Sequence, residues 1–486
     1  MKKILLLTLL AGSILMSGCS KDTNTSAIVL DKNKPVELTI WHYYNGTQKA
    51  AFDALVSEFN ETEGKEQGIY VESHSKGDVG ELESAVMNAS QKKVGSEEMP
   101  NIFSSYADTA FQIEKAGALA DLSPYFTDEE QSEYVDSYIE EGRIGSNGEL
   151  KIFPIAKSTE VFMMNKTAWE EFSAETGAKQ ENLETTEGVA QIAEQYYNWT
   201  DAKTPNVLND GKAFYGRDAM ANLFIISSMQ RGIELFQVEN QKVTLNIDRD
   251  TFKEIWDDYY KPSVKGYFGS FGRFRSDDLK IGEIIAYTGS TASASYFPAQ
   301  IEMNDMILPI ECMILPAPKL KGGEAYIIQQ GAGMVVTKKT KEEEYASVEF
   351  LKWFTQNEQN TEFGCTSCYV PVKKDANRKE VLDSVIKSKS LQIQDKEYST
   401  LLTAYEMVSK DKLYTNKAFD GGAAARKVLE YSLQDKVKAD REQILALLEA
   451  GTTLEDAVKD YISDEAFDTW FKEIKVELEA CATKDK

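Results

Sequence analysis

With 486 residues the chain is too long for one ordinary domain and predicts two or three; 42% hydrophobic and 10% aromatic content can fill real cores, and 30 glycines with 11 prolines are too few for a fibrous or disordered protein. Its 79 acidic against 54 basic residues leave a net charge of −25, which excludes the basic grooves that nucleic acid rewards, so no nucleic-acid partner is expected. Two histidines, His42 and His74, exclude a His-rich metal site by count, and the four cysteines besides Cys19 are too few for a disulfide scaffold in so long a chain.

The chain opens with Lys2 and Lys3, an apolar stretch from Ile4 to about Met16, small residues and then Cys19. That layout is a secretory signal with a lipoprotein-type cleavage site. The stretch is short of the ~20 residues a transmembrane helix needs. Residues 1–18 are read as the signal peptide, and 19–35 as the lipidated Cys19 with a polar tether, reaching roughly 20 Å as a random coil. Two acyl chains on that thiol suffice for stable anchoring.

Alternating Val36, Leu38 and Ile40 predict a strand, and Gly46 and Thr47 open a helix with Ala51, Phe52, Leu55, Val56 and Phe59 on one face. A strand from Ile69 to Ser73, a helix carrying Leu82, Ala85, Val86 and Ala89, a strand from Asn101 to Tyr106 and a helix from Thr109 to Ala116, stopped by Gly117, follow. Strand–helix alternation predicts a parallel α/β sheet, which binds ligands beyond the carboxyl ends of its strands. Those ends are Trp41–Asn45, Ser73–Asp78 and Tyr106–Asp108. Farther on, Ile152–Asn165 is extended, Thr251–Tyr260 helical, Ile284–Thr288 and Met334–Thr337 strands, and Glu344–Phe354 a helix with Tyr345, Val348, Leu351 and Phe354 on one side. Thr452 with Glu455 reads as a capping box.

The chain has no HExxH, phosphate-binding loop, nucleophile elbow or EF-hand loop. An exported α/β protein rich in aromatics and without a catalytic signature reads as a binder. From Val36 onward the order of its motifs resembles an extracellular solute-binding protein of an ABC importer, of the family that takes sugars and related polyols. The motifs are Leu38–Gly46, Glu58-Phe59-Asn60, Met99–Phe103, Tyr106-Ala107-Asp108, Pro154–Lys166, Tyr287–Ser290, Leu315–Pro318 and Cys368-Tyr369-Val370-Pro371-Val372, the last similar to a Gly-Tyr-Leu-Pro-Val signature. The resemblance implies an α/β, two-lobe periplasmic-binding-protein-like (type II) fold with a ligand cleft and hinge crossings. It places lobe 1 at 36–155 plus 331–375 and lobe 2 at 156–330 plus 376–486, the latter with a helical C-terminal part. It also implies capture of a carbohydrate, an oligosaccharide, by hinge closure, delivery to the permease subunits, no cofactor, no metal and no catalysis. A monomer at the extracellular face of the cell membrane is expected. A Gram-positive-type envelope follows, since a binder without an outer membrane to retain it most needs an anchor.

Sugar sites pair aromatic faces with planar polar groups. Trp41, Tyr43 and Tyr44 end the first strand, although the alternation sets Trp41 and Tyr43 opposite Ile40 and makes one of them a core candidate. Tyr106 and Asp108 end the third strand; Asp108 falls where a glycerol-phosphate relative has an acidic ligand residue, and it is also a candidate helix cap. Ser158, Thr159 and Glu160 follow the first crossing, Gly289 and Ser290 form a loop, and Gln330, Gly331 and Gly333 make the return crossing. Tyr369 matches the signature tyrosine. Arg426 matches an arginine that glycerol-phosphate relatives use, with a helix-face ion pair as its other reading. Arg217, near Asp218 and Asn222, and Arg275, within the Arg273–Asp278 cluster, are further candidates that equally suit loop-locking pairs. With Arg426 they would serve the competing ligands, glycerol phosphate or a glycerophosphodiester; a surface hydrolase and a sensor are the remaining alternatives. Cys368 stands where the signature has glycine, which restricts the backbone there, and Cys365 with Cys368 leaves free thiols, a bond or a redox pair open.

Overall fold

The computed structural model describes residues 28–239, 242–303 and 306–482; the signal segment and Cys19 lie outside them. In chain order the strands are β1 (Val36–His42), β2 (Ile69–Ser75), β3 (Ile102–Ser105), β4 (Ile152–Phe153), β5 (Glu160–Asn165), β6 (Tyr215–Arg217), β7 (Phe236–Glu239), β8 (Lys242–Leu245), β9 (Ala286–Ser290), β10 (Gln300–Met303), β11 (Met306–Pro309), β12 (Cys312–Pro316), β13 (Tyr326–Ile328), β14 (Gly333–Val336) and β15 (Lys412–Tyr414).

The first lobe is built on a 5-stranded sheet of order β2-β1-β3-β14-β4. β1 runs parallel to β2, from Val36↔Ile69 to His42↔Ser75, and to β3. Strand alternation sorts the core. Leu38, Ile40 and Ile102 face Phe52, Leu55 and Phe59 of helix Gly46–Glu61 and Phe350 and Phe354 of helix Lys341–Phe354. Trp41, Phe103 and Val335 face Leu82, Val86, Ala110 and Ile113 on the other side. Each such fully buried side chain contributes about 1.5–3 kcal/mol of transfer free energy. The wholly parallel sheet expected from the sequence is corrected: β14 runs antiparallel to both β3 and β4. It enters the sheet on its way back from the second lobe, so it points against strands that grew by strand–helix–strand alternation.

The second lobe has a 4-stranded sheet of order β12-β5-β9-β6. β5 is antiparallel to β12 and β9, and β6 is parallel to β9. Phe162, Met164 and Tyr215 face the larger core, where Leu429 and Leu433 of helix Gly422–Glu449 and Trp470 and Ile474 of helix Asp464–Ala482 meet Phe224 and Phe252. Residues 376–390, expected with this lobe, pack on the first instead: Leu382 joins Cys365 and Val370, and Lys389 pairs with Glu58 and Glu362, each at 3.1 Å. Two local expectations also shift. The helix predicted over 251–260 spans Arg249–Ile255 and runs through a π-helical turn, Trp256–Tyr260, where the Trp256 and Tyr260 rings stack at 3.7 Å. The late cap is Thr453, whose hydroxyl accepts from the Asp456 N–H at 3.2 Å, one residue beyond the predicted Thr452.

The single extended run predicted over 152–165 is split into β4 and β5 by a crossing between lobes at 154–159. The return crossing lies beside it: Ser158 and Gln330 exchange backbone hydrogen bonds of 3.0 and 2.9 Å, while Lys157 exchanges them with Val370 on its other side. Gly331 has φ +91°, and a Cβ there would fall 2.9 Å from the Ala156 carbonyl oxygen, so only glycine fits. The buried Lys157 ammonium donates to the Gly331 carbonyl at 2.6 Å and pairs with Glu141 of the first lobe. Glu141 in turn accepts from the Gln329 amide at 2.5 Å.

Candidate functional site

The edge of the first sheet that faces the second lobe carries tyrosines. Tyr43 follows β1 and Tyr106 follows β3, where it caps helix Ala107–Glu114. Their rings lie nearly parallel, at 18° and 6.5 Å between centroids. Tyr369 arrives from a different direction. Helix Asn357–Ser367 ends on Cys368 at φ +56°, the left-handed turn that the signature glycine would supply, and Cys368 adopts it despite its side chain. Tyr369 then stacks on Phe363 at 6.0 Å and 9° and meets the Tyr43 hydroxyl at 3.2 Å. Burial pushes the Tyr43 and Tyr369 phenols well above their ordinary range, so both hydroxyls keep their protons at neutral pH. Tyr106 remains 37% exposed. The edge therefore offers one open aromatic face and a pair of linked hydroxyls.

Beside the tyrosines stands Asp108, with Oδ1 buried and accepting no hydrogen bond from any described residue. Burial raises its carboxyl to about 6, with the Arg426 charge opposing and Glu83 adding to the rise. Arg426, from the second lobe, donates to Asn222 Oδ1 at 2.5 Å, and Asn222 donates to Glu160 Oε1 at 2.9 Å. Glu160 also pairs with Arg217. One polar chain thus runs from the cleft into the second lobe.

The other sequence candidates divide by whether their groups are already used. Trp41 and Tyr44 are core residues: the Trp41 ring lies among Leu82, Val86 and Phe103 under the Lys76 ammonium at 4.1 Å, and Tyr44 packs on Phe52 and Phe363. Of the three, only Tyr43, which lies beyond the end of β1, stands at the cleft. Arg217 is 3% exposed and committed to Glu160; Arg275 is 2% exposed and bound to Asp278 at 2.5 Å and to the Gly272 carbonyl at 2.5 Å. Both are loop and sheet locks rather than free phosphate donors. Thr159 spends its hydroxyl on the Ile328 carbonyl at 2.8 Å, and Ser158 holds the crossing through its backbone. Gly289 sits in β9, where a Cβ would fall 3.0 Å from Ser293 Oγ and 3.3 Å from Asp218 Oδ2; Ser290 caps the short helix that follows. Gln330 lies in the return crossing with Oε1 buried and unpartnered among the described residues. Cys365 and Cys368 are free buried thiols, Cys365 raised by burial to about 12, which makes them poor nucleophiles.

Between the lobes lies a cavity of about 440 Å³, lined by Phe111 and Glu141 from the first lobe, Gln329 from the return crossing, and Glu234, Tyr414 and Asn416 from the second. Its size falls within the roughly 300–1,000 Å³ of small-molecule sites. None of these residues was singled out from the sequence. The available signals were faint: Gln329 adjoins Gln330, and Tyr414-Thr415-Asn416 sets an aromatic beside polar residues between two helices.

Two α/β lobes joined by adjacent crossings around a cleft with aromatic and polar walls define a two-lobed binding protein. A model of bacterial extracellular solute-binding proteins matches residues 54–392, and the chain belongs to that family. A sequence search of curated proteins finds no match. Among solved structures, the cyclic α-maltosyl-1,6-maltose binding protein of Arthrobacter globiformis is similar over 92% of this chain and 99% of its own, at 18% identity and TM-score 0.65. UgpB of Mycobacterium tuberculosis, in complex with glycerophosphocholine, is similar over 92% and 99% at 17% identity and TM-score 0.63. An ABC substrate-binding protein of Listeria monocytogenes, in complex with cycloalternan, is similar over 91% and 100% at 16% identity and TM-score 0.61. At these identities the likeness establishes the fold. Among the described residues no helix is long and apolar enough to cross a membrane.

Proposed function

We propose that the chain is the solute-receiving component of an ABC importer and captures a neutral carbohydrate, an oligosaccharide, between its lobes. The observation that carries this reading is the Tyr43–Tyr106–Tyr369 edge, a stacked aromatic face with a pair of linked hydroxyls; a cavity of about 440 Å³, lined by other residues, also lies between the lobes. Ring C–H bonds of a sugar pack on such faces while hydroxyls and amides fix its oxygens. Three structural neighbours bound to or named for cyclic or linear saccharides support the same class. A ligand touching both lobes favours the closed arrangement by its differential contacts, and permease subunits would read that state. The role is binding without catalysis, as a monomer, and lipid on Cys19 would hold the protein near its membrane partner.

A second reading has one observation in its favour. Arg426 stands one turn inside helix Gly422–Glu449, a helix start suited to the phosphate of glycerol phosphate or a glycerophosphodiester. Calorimetry against a panel of neutral mono- and oligosaccharides, with glycerophosphocholine as the charged comparator, decides between them. Saturable heat from a saccharide supports the first reading; heat from glycerophosphocholine alone overturns it. Cys19→Ser is expected to release the protein into the medium with its affinity unchanged.

A further inference from the structure

The second-lobe loop at 269–274 is pinned by the Arg275–Asp278 pair. The buried Asp278 carboxylate accepts from the Phe271 and Gly272 N–H groups at 3.1 and 2.6 Å, and Arg275 donates to the Gly272 carbonyl at 2.5 Å. These bonds hold the loop and leave Arg273 exposed on it. Arg273 reaches the other lobe, where it donates to Asp78 Oδ2 at 3.1 Å. Asp78 is held as firmly. It caps helix Val79–Ser90 in a reciprocal box with Glu81, each backbone N–H donating to the other residue's carboxylate at 2.9 Å. A second bridge joins the lobes from another helix. Gln112 and Lys115, one turn apart on helix Ala107–Glu114 and its cap, both reach Asp420 of the second lobe, Gln112 at 2.9 Å and Lys115 as an ion pair. The sheet order β2-β1-β3 places these bridges about the tyrosines. Asp78 follows β2, Tyr43 follows β1 and Tyr106 follows β3, with the Asp420 bridge on the far end of the helix that Tyr106 starts. The tyrosine edge thus has a bridge on each flank.

We propose that Asp78–Arg273 and Lys115–Asp420 are closure latches: charge pairs made only while the lobes are together, which set how tightly a solute is held through the lobe equilibrium rather than through contact with the solute. Exposed pairs of this kind add little to folding. Here, however, whatever they contribute falls on the difference between the open and closed forms, and apparent affinity follows the population of the closed one. Because the Arg273 loop and the Asp78 cap are already fixed within their own lobes, little backbone freedom is lost when they meet. The inference goes beyond the ligand class proposed above, since it holds for any solute the closed lobes enclose.

The test measures calorimetric affinity for the saccharide that titrates, the melting temperature, and small-angle scattering of the ligand-free protein. The variants are Arg273→Glu, Arg273→Lys, Lys115→Glu, and Lys115→Glu combined with Asp420→Lys. Arg273→Glu and Lys115→Glu are each expected to weaken binding about two- to fivefold, to enlarge the radius of gyration of the free protein and to move the melting temperature little. Arg273→Lys should stay near the wild type, and the exchanged Lys115→Glu, Asp420→Lys pair should regain most of what Lys115→Glu loses. Unchanged affinity in the two single glutamate variants overturns the inference, and so does a loss that the exchanged pair, folded as stably as the wild type, fails to recover. If no saccharide titrates, the saccharide reading falls and scattering of the ligand-free variants decides the latches alone: a larger radius in the glutamate variants supports them, and an unchanged one overturns them.

Discussion

The two faces of the cleft treat their polar groups in opposite ways. On the second lobe, Glu160, Arg217, Arg275 and Asp278 are buried and bonded to one another: Arg217 to Glu160, Arg275 to Asp278, and Asp278 to the Gly272 and Phe271 N–H groups at 2.6 and 3.1 Å. On the first lobe, Tyr106 keeps an open face, the Tyr43 and Tyr369 hydroxyls meet at 3.2 Å, and Asp108 keeps an oxygen with no partner among the described residues. Buried charges that satisfy each other are scaffold, because removing one strands its partner in a poorly solvating interior. Buried or half-buried groups with unused donors and acceptors cost stability and are retained where a ligand completes them.

The largest effect should come from breaking the scaffold side. Glu160→Ala leaves the Arg217 guanidinium buried without its carboxylate, and a loss of about 3–5 kcal/mol is expected in denaturant unfolding. A loss under about 1 kcal/mol would place that pair among the exposed, weak ones and erase the distinction. Gly331→Ala comes next. A Cβ 2.9 Å from the Ala156 carbonyl oxygen, at φ +91°, strains the return crossing. A cost of about 1–3 kcal/mol is expected, with a changed lobe separation in small-angle scattering. On the ligand side, Tyr369→Phe removes only the hydroxyl that meets Tyr43 and leaves the stack on Phe363. Saccharide affinity should fall about tenfold while the melting temperature moves little, since one hydrogen bond is worth about 1 kcal/mol. A change in stability without a change in affinity would move Tyr369 to the scaffold.

The smallest effect concerns pH. Burial raises the carboxyls of Asp108, Asp218 and Asp258 to about 6 each. A carboxyl whose native pKa lies above its unfolded value binds protons more readily when folded, so its contribution favours the native state at low pH. That contribution is lost as pH rises from the unfolded value of about 4 through the native one. Asp258→Asn cannot ionise and keeps an oxygen to accept from Thr186, whose hydroxyl lies 2.6 Å from Asp258 Oδ2. It should flatten the decline and raise stability above neutrality by about 1 kcal/mol after allowance for solvent screening. An unchanged pH profile would contradict the assignment.

Much of the fold was legible because it follows local rules. The alternation of Val36, Leu38 and Ile40 and the helical spacing of Phe52, Leu55, Val56 and Phe59 appear as β1 and its covering helix. What the sequence hid depends on partners far away in the chain. β14 runs against β3 because of where the chain has been, not because of its own four residues. The same holds for the site. The residues Tyr43, Tyr106, Asp108, Tyr369 and Arg426 carry types that suit recognition, and the structure brings them to one cleft edge. Arg217 and Arg275 carry equally suitable types, yet Glu160 and Asp278, 57 and 3 residues away, consume them. Residue type alone cannot tell a spent guanidinium from a free one. Gln329 and Tyr414 line the cavity only because the Gln329 N–H donates to the Tyr414 carbonyl at 2.8 Å.

The most direct test of the account is a crystal structure of the protein with the saccharide that titrates. The account predicts a sugar ring against the Tyr106 face, with hydroxyls in hydrogen-bond reach of Tyr43, Tyr369 or Asp108, and the Glu160–Arg217 and Arg275–Asp278 pairs unbroken. A ligand seated on Arg217 or Arg275, with their carboxylate partners displaced and the tyrosine edge empty, would contradict it.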